Sequence, residues 1–552
     1  MGSNKSKGII GCSLVVVFFI VMIVMLVSKL IGGDSGEGSS GASLDKLIKY
    51  VDYDEKEVVK GSVDLSDASL YDELPDISKY PLTLEDKSGE IQIEIFSSPE
   101  KAGTGTDSWL IDMAESFNAK KEEIDGRVIS VSIRNISSGL AADYIISGKY
   151  VPTGFSPSSA LWGAYVDVQG AKLDMVEECM VGNVAGFLVS KKAGYKDYKE
   201  VIEAVQSGKI NIGYTNPQVS TTGMNLLVTI LSVYGNGDLT SGDAVKAFSD
   251  FQRNIPYVAT NTIQMRDSSA NGSLDGMTLE YQSYIQDKEL QSTYDFVPFG
   301  VRHDNPMYAC QGISTEQRQA LEKFTQFCTD AAGKKEAEKK GFYNNMDYTS
   351  DIEIVGKDVK DALDIYKREK DSGQAIIAVF VADVSGSMSG EPLNQLKESL
   401  QNGMKYINDT NYVGLVSYSS DVSIEVPIAQ FDLNQKAYFQ GALNRMSAGG
   451  NTASYDALVV AMKMIEDAKA DHPDAKTMLF LLSDGQQNEG YSLNKITAAL
   501  EKQKTPVYTI CYGEEADTEE MAKVSSVNEA ASIVADPEDI VYKIKSLFNS
   551  SL

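Results

Sequence analysis

The feature that most constrains this chain is a set of four apolar runs in its last third: "AIIAVFVAD", "YVGLVSY", "TMLFLLS" and "PVYTICY". Each is free of charge up to its last residue and mostly apolar, and helical stretches separate them. Leu393, Leu396, Leu400, Met404 and Ile407 line one face of the first such stretch, which Pro392 opens. Strands without polar alternation belong in a sheet covered on both faces. Strand and helix in regular alternation make that sheet parallel and doubly wound, and ligands then gather at the C-terminal strand ends.

Two of those ends, and a third loop, carry oxygen donors. The run 376–382 stops at Asp383, followed by Ser385 and Ser387 at alternate positions. "SAGGNTAS" brings Thr452 to the start of a helix marked by Leu458, Met462 and Ile465, and the run 477–482 ends in Ser483-Asp484-Gly485. Any one of these loops is explained by helix capping, for which Ser, Thr and Asp are favoured. Three such loops together form a set with no sulfur or imidazole, which suits Mg²⁺, Mn²⁺ or Ca²⁺.

The residues Asp383-x-Ser385-x-Ser387, Thr452 after Gly449-Gly450, and Asp484 in "LLSDG" resemble the metal-ion-dependent adhesion site of the von Willebrand factor A family, over about 175 residues. The resemblance implies a doubly wound, Rossmann-like domain over 375–552. It implies a divalent cation, Mg²⁺ first, held by Asp383, Ser385, Ser387, Thr452 and Asp484, with one position left for an acidic group of a protein or matrix partner. The continuation Ser389-Gly390-Glu391 departs from the acidic pattern with which integrin-type members build a neighbouring cation site, so no second site is expected.

Upstream, "EIQIEIF" and "RVISVSI" alternate as strands, and "DSWLIDMAESFNAKK" spaces Trp109, Met113 and Phe117 on one helical face behind Asp107. This α/β pattern runs from 89 to 345, a length that suits two lobes. "ISSGLAADYIISGKYVPTGFSPSSALW", "GYTNPQVSTTGMNLL", "DGMTLEYQSYI" and "STEQRQALEKFTQFCTDAAGKKEAEKKGFY" resemble bacterial extracellular solute-binding proteins of the two-lobed periplasmic type. The resemblance implies a cleft for a small polar solute. Helix N-termini rich in hydroxyls offer Ser137, Ser138, Ser156, Ser158, Ser159, Ser220, Thr221 and Thr222, with Tyr281 as a wall. Capping explains each of these equally well, and Arg134 is the one basic residue near the motifs.

At the start, "GIIGCSLVVVFFIVMIVMLVS" (8–28) holds no charge and spans about 30 Å as a helix, enough to cross a bilayer. Lys5 and Lys7 precede it while Asp34 and Glu37 follow, so residues 1–7 are read as a cytoplasmic tail and the rest as external. "MGSNKS" fits a myristoylation pattern that a spanning helix makes redundant. In "IIGC" the apolar stretch lies on the wrong side of Cys12 for a lipoprotein box. Residues 29–88 begin as a Gly/Ser linker and continue as a charged segment with Pro75 and Pro81, read as a small clasp on the adjoining domain. Residues 346–374 are read as a charged connector containing a helix.

The chain of 552 residues has a net charge of −28, which excludes the basic stripes of nucleic-acid binding. Two histidines, His303 and His472, leave little material for zinc sites or Ser-His-Asp triads, so no catalysis is expected. Five cysteines show no CxxC spacing, and a Cys310–Cys328 disulfide is left open by spacing alone. The expected function is that of a membrane-anchored surface protein that binds partners through its metal site, with a solute-binding second module. The alternative is a solute receptor serving a transporter, with the C-terminal domain as docking module. A third reading, an assembly factor like the magnesium-chelatase subunits, is disfavoured by the anchor and by the lack of a GxxxxGK[ST] phosphate loop.

Overall fold

In the computed structural model, the described residues are 43–534, less short stretches at 65–68, 260–261, 263–264, 267–273, 344–346, 371–373, 486, 514–515 and 529–531. The expected tail, membrane span and Gly/Ser linker therefore lie outside the described residues. Among the described residues no helix is long and apolar enough to cross a membrane.

The alternation of Ile91, Ile93 and Ile95 and of Ile129, Val131 and Ile133 produces two parallel strands, Ile91–Ser97 and Arg127–Asn135, in register Ile91↔Ile129. They lie in a seven-stranded sheet with Leu82–Leu84, Gly154–Ser156, Met307–Cys310, Leu173–Glu177 and an edge piece, Glu123–Ile124. The isoleucine face packs on Trp109, Met113, Phe117, Leu321 and Phe324 of two helices, Trp109–Lys120 and Thr315–Thr329. The opposite face carries Phe96 and Phe155 against Leu140, Tyr144 and Trp162. A second lobe holds a five-stranded sheet in the order Tyr257–Ala259, Ile212–Thr215, Gly276–Glu280, Ala185–Ser190, Tyr294–Pro298. The chain passes between the lobes where Asn183 and His303 form an isolated antiparallel bridge.

The segment read as a connector is part of this two-lobed body. Helix Gly356–Glu369 buries Val359, Ala362, Leu363, Ile365 and Tyr366 in the same core as Trp162 and Leu227. It packs against helices Ala160–Val168 of the first lobe and Thr221–Tyr234 and Gly242–Arg253 of the second. Its many charges sit on the outer face, which hides an apolar stripe at helical spacing.

The C-terminal sheet is seven-stranded, in the order Tyr53–Glu55, Val422–Gln430, Tyr412–Tyr418, Ile376–Asp383, Lys476–Ser483, Val507–Cys511, Ser532–Val534. Among its described strands only the pair Tyr412–Tyr418 and Val422–Gln430 is antiparallel. Ile376–Asp383 is buried along its whole length. Ala378, Phe380 and Ala382 face Leu396, Leu400 and Phe439, while helix Ser454–Asp471 lies against this strand and both of its neighbours. The chain leaves Ile376–Asp383 toward one side of the sheet and later returns to build the other. The crevice between that strand and Lys476–Ser483 is thus the topological switch point.

The first strand of that sheet comes from the segment read as a clasp on the adjoining domain. Tyr53, Asp54 and Glu55 pair in parallel with Val422, Ser423 and Ile424, so the clasp's first half sits on the far end of the chain. Its second half sits on the first lobe, where Tyr144 Oη donates to Pro75 O at 2.8 Å and Leu82–Leu84 pairs with Arg127–Asn135. Cys310 and Cys328 are both free and buried, so the disulfide left open by spacing is not formed.

Candidate metal centre and solute cleft

Because strand 376–383 is buried throughout, Asp383 enters its loop from inside the core and is itself fully buried. Its Oδ1 accepts from Ser385 N at 2.8 Å, and its Oδ2 from Ser483 Oγ at 2.5 Å and Tyr418 Oη at 3.2 Å. Ser385 Oγ and Ser387 Oγ lie 3.1 Å apart. The loop is tied to the second loop by Gly386 N to Gly450 O at 3.0 Å and Gly449 N to Val384 O at 2.8 Å. Gly450 has φ +82°, a backbone region that glycine enters without strain. Thr452 in turn donates its N–H to Asn488 Oδ1 at 2.9 Å, and its carbonyl accepts from Asn488 N and Glu489 N, each at 3.1 Å. The loops carrying Asp383, Thr452 and Asp484 are therefore cross-linked into one end of the sheet, and Thr452 and Asp484 are also buried.

Burial pushes the Asp383 carboxyl above its usual range and Asp484 pushes the same way, against the hydrogen bonds from Ser385 and Ser483. Its donors are all neutral. Two buried carboxylates among hydroxyls, with neutral donors on Asp383, are a donor set that fits a hard cation. Among the described residues no group of three or more His, Cys, Asp and Glu is placed to hold a metal ion, so a metal here would rest on hydroxyls and two carboxylates. Ser483 and Tyr418 are the residues that sequence reasoning missed; both close their strands beside Asp383, and Tyr418 is its register partner. Glu391 accepts from Gln395 Nε2 at 3.1 Å.

In the two-lobed domain the expected hydroxyls divide. Thr221 Oγ1 accepts from Trp162 Nε1 at 3.0 Å across the lobes, and Gly139 N donates to Val219 O at 3.2 Å. Thr222 Oγ1 donates to Glu280 at 2.6 Å, Ser158 Oγ to Glu100 at 3.1 Å, and Ser138 Oγ accepts from Ser158 N at 3.3 Å. Ser156 Oγ is buried with no hydrogen-bond partner. Ser159 caps helix Ala160–Val168, Ser137 stands at an N-cap without a side-chain bond, and Ser220 bonds Thr215 at 2.8 Å. The Tyr281 ring packs edge-on against Phe296, centroids 4.8 Å apart. Arg134 is engaged elsewhere, on Glu94 at 2.7 Å and on Ile77 O at 3.2 Å.

Sequence reasoning missed the buried charges here. Glu100 accepts from Thr262 of the other lobe at 3.2 Å, and Gln282 of the second lobe donates to Asp107 of the first at 3.2 Å. Burial and the nearby Glu280 push the Glu100 carboxyl up. Burial also pushes Glu280 up, but His303, Thr222 and Lys101 outweigh it and the net shift is downward. The Asn225 amide is fixed by Val301, accepting from its N–H at 2.9 Å and donating to its carbonyl at 2.8 Å. Its Nδ2 therefore faces His303 Nε2 at 3.0 Å, while His303 Nδ1 lies 2.7 Å from Glu280. Lys101 is held by Ser98 Oγ and Ser156 O, both at 2.7 Å, and burial pushes its ammonium down to about 7. The strand-end stretch "SSPEK" (97–101) was the available signal.

Residues 378–548 match the von Willebrand factor type A domain family, and residues 102–343 match the family described as bacterial extracellular solute-binding protein. Inter-alpha-trypsin inhibitor heavy chain H1 of Mesocricetus auratus is 26% identical over 184 residues, which are 31% of this chain and 20% of that protein. The chain thus spans about a fifth of that curated relative. A von Willebrand factor type A structure from Catenulispora acidiphila shares 20% identity at a TM-score of 0.29, covering 32% of this chain and 42% of its own. The sulfate-binding protein of Mycobacterium tuberculosis shares 15% identity at a TM-score of 0.35, covering 47% of this chain and 88% of its own. Both matched families are typically non-catalytic. The chain joins a solute-binding-protein-like domain to a C-terminal von Willebrand factor type A domain.

Proposed function

We propose that the chain is a solute receptor of the cell exterior, anchored by residues 8–28 and serving a membrane transporter, with its C-terminal domain docking it to a protein partner. The observation that carries this reading is the set of polar contacts between the lobes: Glu100 with Thr262, Trp162 with Thr221, and Gln282 with Asp107. Polar side chains facing one another across two lobes are the equipment for enclosing a small polar solute. Asp383, Ser385, Ser387, Thr452 and Asp484 would hold a divalent cation, Mg²⁺ before Mn²⁺ or Ca²⁺. When bound, the ion supplies an electrophilic position for a partner's carboxylate. A thermal-shift screen of small polar solutes against the ectodomain tests the receptor reading: a saturable rise in Tm for one chemical class supports it, and none across the classes counts against it.

The second reading makes the cation face the main one, with the chain as a surface adhesion protein. It is favoured by the cross-linked loops around Asp383. Capture of a cell-surface protein that EDTA abolishes, with no solute detectable in the two-lobed domain, would select it.

A further inference from the structure

The N-terminal segment belongs physically to the far end of the chain. Leu47 is buried and its carbonyl accepts from Tyr491 Oη at 3.0 Å. Tyr53–Glu55 extends the C-terminal sheet beyond Val422–Gln430, and Lys56 N continues the ladder to Ile424 O at 2.9 Å. The segment then crosses helix Leu433–Arg445, where Gly61 N donates to Ala437 O at 2.7 Å and Lys60 Nζ to Asn434 at 2.7 Å. The crossing is close. A Cβ on Gly441 would lie 1.8 Å from Val59 O.

The strand that this segment covers leads to the candidate cation loops. Val422 and Ser423, partners of Tyr53 and Asp54, are also the antiparallel partners of Tyr418 and Ser417. Tyr418 is one of the donors that hold Asp383, and its carbonyl accepts from Val384 N at 2.8 Å. A cavity of about 370 Å³ joins the two ends of this path, lined by Asp52, Asp54 and Lys56 from the segment, Asp421 and Ser419 from the hairpin, and Val384 from the loop.

We propose that residues 43–64 are a positioning strap for the cation site: docked, they hold the hairpin 412–430 and so the Tyr418–Asp383 contact in the geometry that binds the ion. This rests on the reading of Asp383 and its neighbours as a cation site. Linkage makes the effect reciprocal, since whatever the strap adds to cation affinity the cation adds to strap docking. A role in folding alone would not produce that reciprocity.

The test uses the purified full chain with Mg²⁺ as probe, calorimetry for affinity and hydrogen exchange for the strap. Mg²⁺ should slow exchange of amides 53–56 several-fold in the native protein and leave them unchanged in Asp383→Ala. Gly441→Ala favours its own helix while displacing the strap; it should speed exchange over 53–61 and weaken Mg²⁺ binding about tenfold. Tyr491→Phe, which leaves every helix intact, should move both readouts in the same direction by a smaller factor. Faster exchange in either variant with Mg²⁺ affinity unchanged overturns the strap role while the site stands. Equal Mg²⁺ heats in the native protein and Asp383→Ala overturn the site and the strap role together.

Discussion

Ser483 Oγ reaches across the switch point of the C-terminal sheet and donates to Asp383 Oδ2 at 2.5 Å, tying together the two strands that carry the candidate site's carboxylates. The same hydroxyl accepts from Gly485 N at 2.9 Å, so it also shapes the loop of Asp484. Ser483→Ala should therefore weaken divalent-cation binding about tenfold, the usual cost of losing an orienting partner of a ligand. Calorimetry with Mn²⁺ checks this, and an affinity equal to that of the native protein would separate Ser483 from the site.

Gly139 opens helix Ser138–Ser147 directly under the second lobe; a Cβ there would lie 2.3 Å from Gln218 O and 2.7 Å from the Trp162 ring. Gly139→Val should hold the lobes apart. Small-angle scattering should show a larger radius of gyration, and affinity for any cleft solute should fall at least tenfold.

Burial pushes the Lys101 ammonium from an ordinary 10.5 to about 7. Between those values the unfolded chain binds a proton that the folded chain has released, so stability rises with pH across about 7 to 10.5. Below about 7 both states hold the proton and the destabilisation is complete. Denaturant unfolding at several pH values should show this rise in the native protein and a flatter one in Lys101→Met. Equal slopes would mean that Lys101 does not carry the dependence.

Leu363 and Tyr366 seat helix Gly356–Glu369 on both lobes and are buried. Leu363→Ala should cost about 2–5 kcal/mol of stability. A chain cut after residue 345 should expose apolar surface and bind hydrophobic dyes, whereas a true linker would tolerate both changes.

The C-terminal sheet was legible because four of its strands are mostly apolar runs, and Asp383 and Asp484 stood out because a carboxylate closes one run and directly follows another. Tyr418 and Ser483 were not, since a hydroxyl closing a strand looks like any other polar turn residue. The helix 356–369 was obscured by its outer charges, although Val359, Ala362, Leu363 and Tyr366 keep helical spacing. Nothing local could have placed Tyr53–Glu55 on Val422–Ile424, because three exposed residues carry no pattern and the pairing is remote in sequence. Glu100, Glu280 and Lys101 were passed over because charged residues are rarely buried unless paired.

The most direct test of the account is native mass spectrometry of the gently purified protein, beside Gly139→Val. The account predicts one reproducible small molecule retained by the native protein and lost from the variant. A native protein that retains nothing, even after incubation with extracts of its own growth medium, or a variant that retains the molecule equally well, would contradict it.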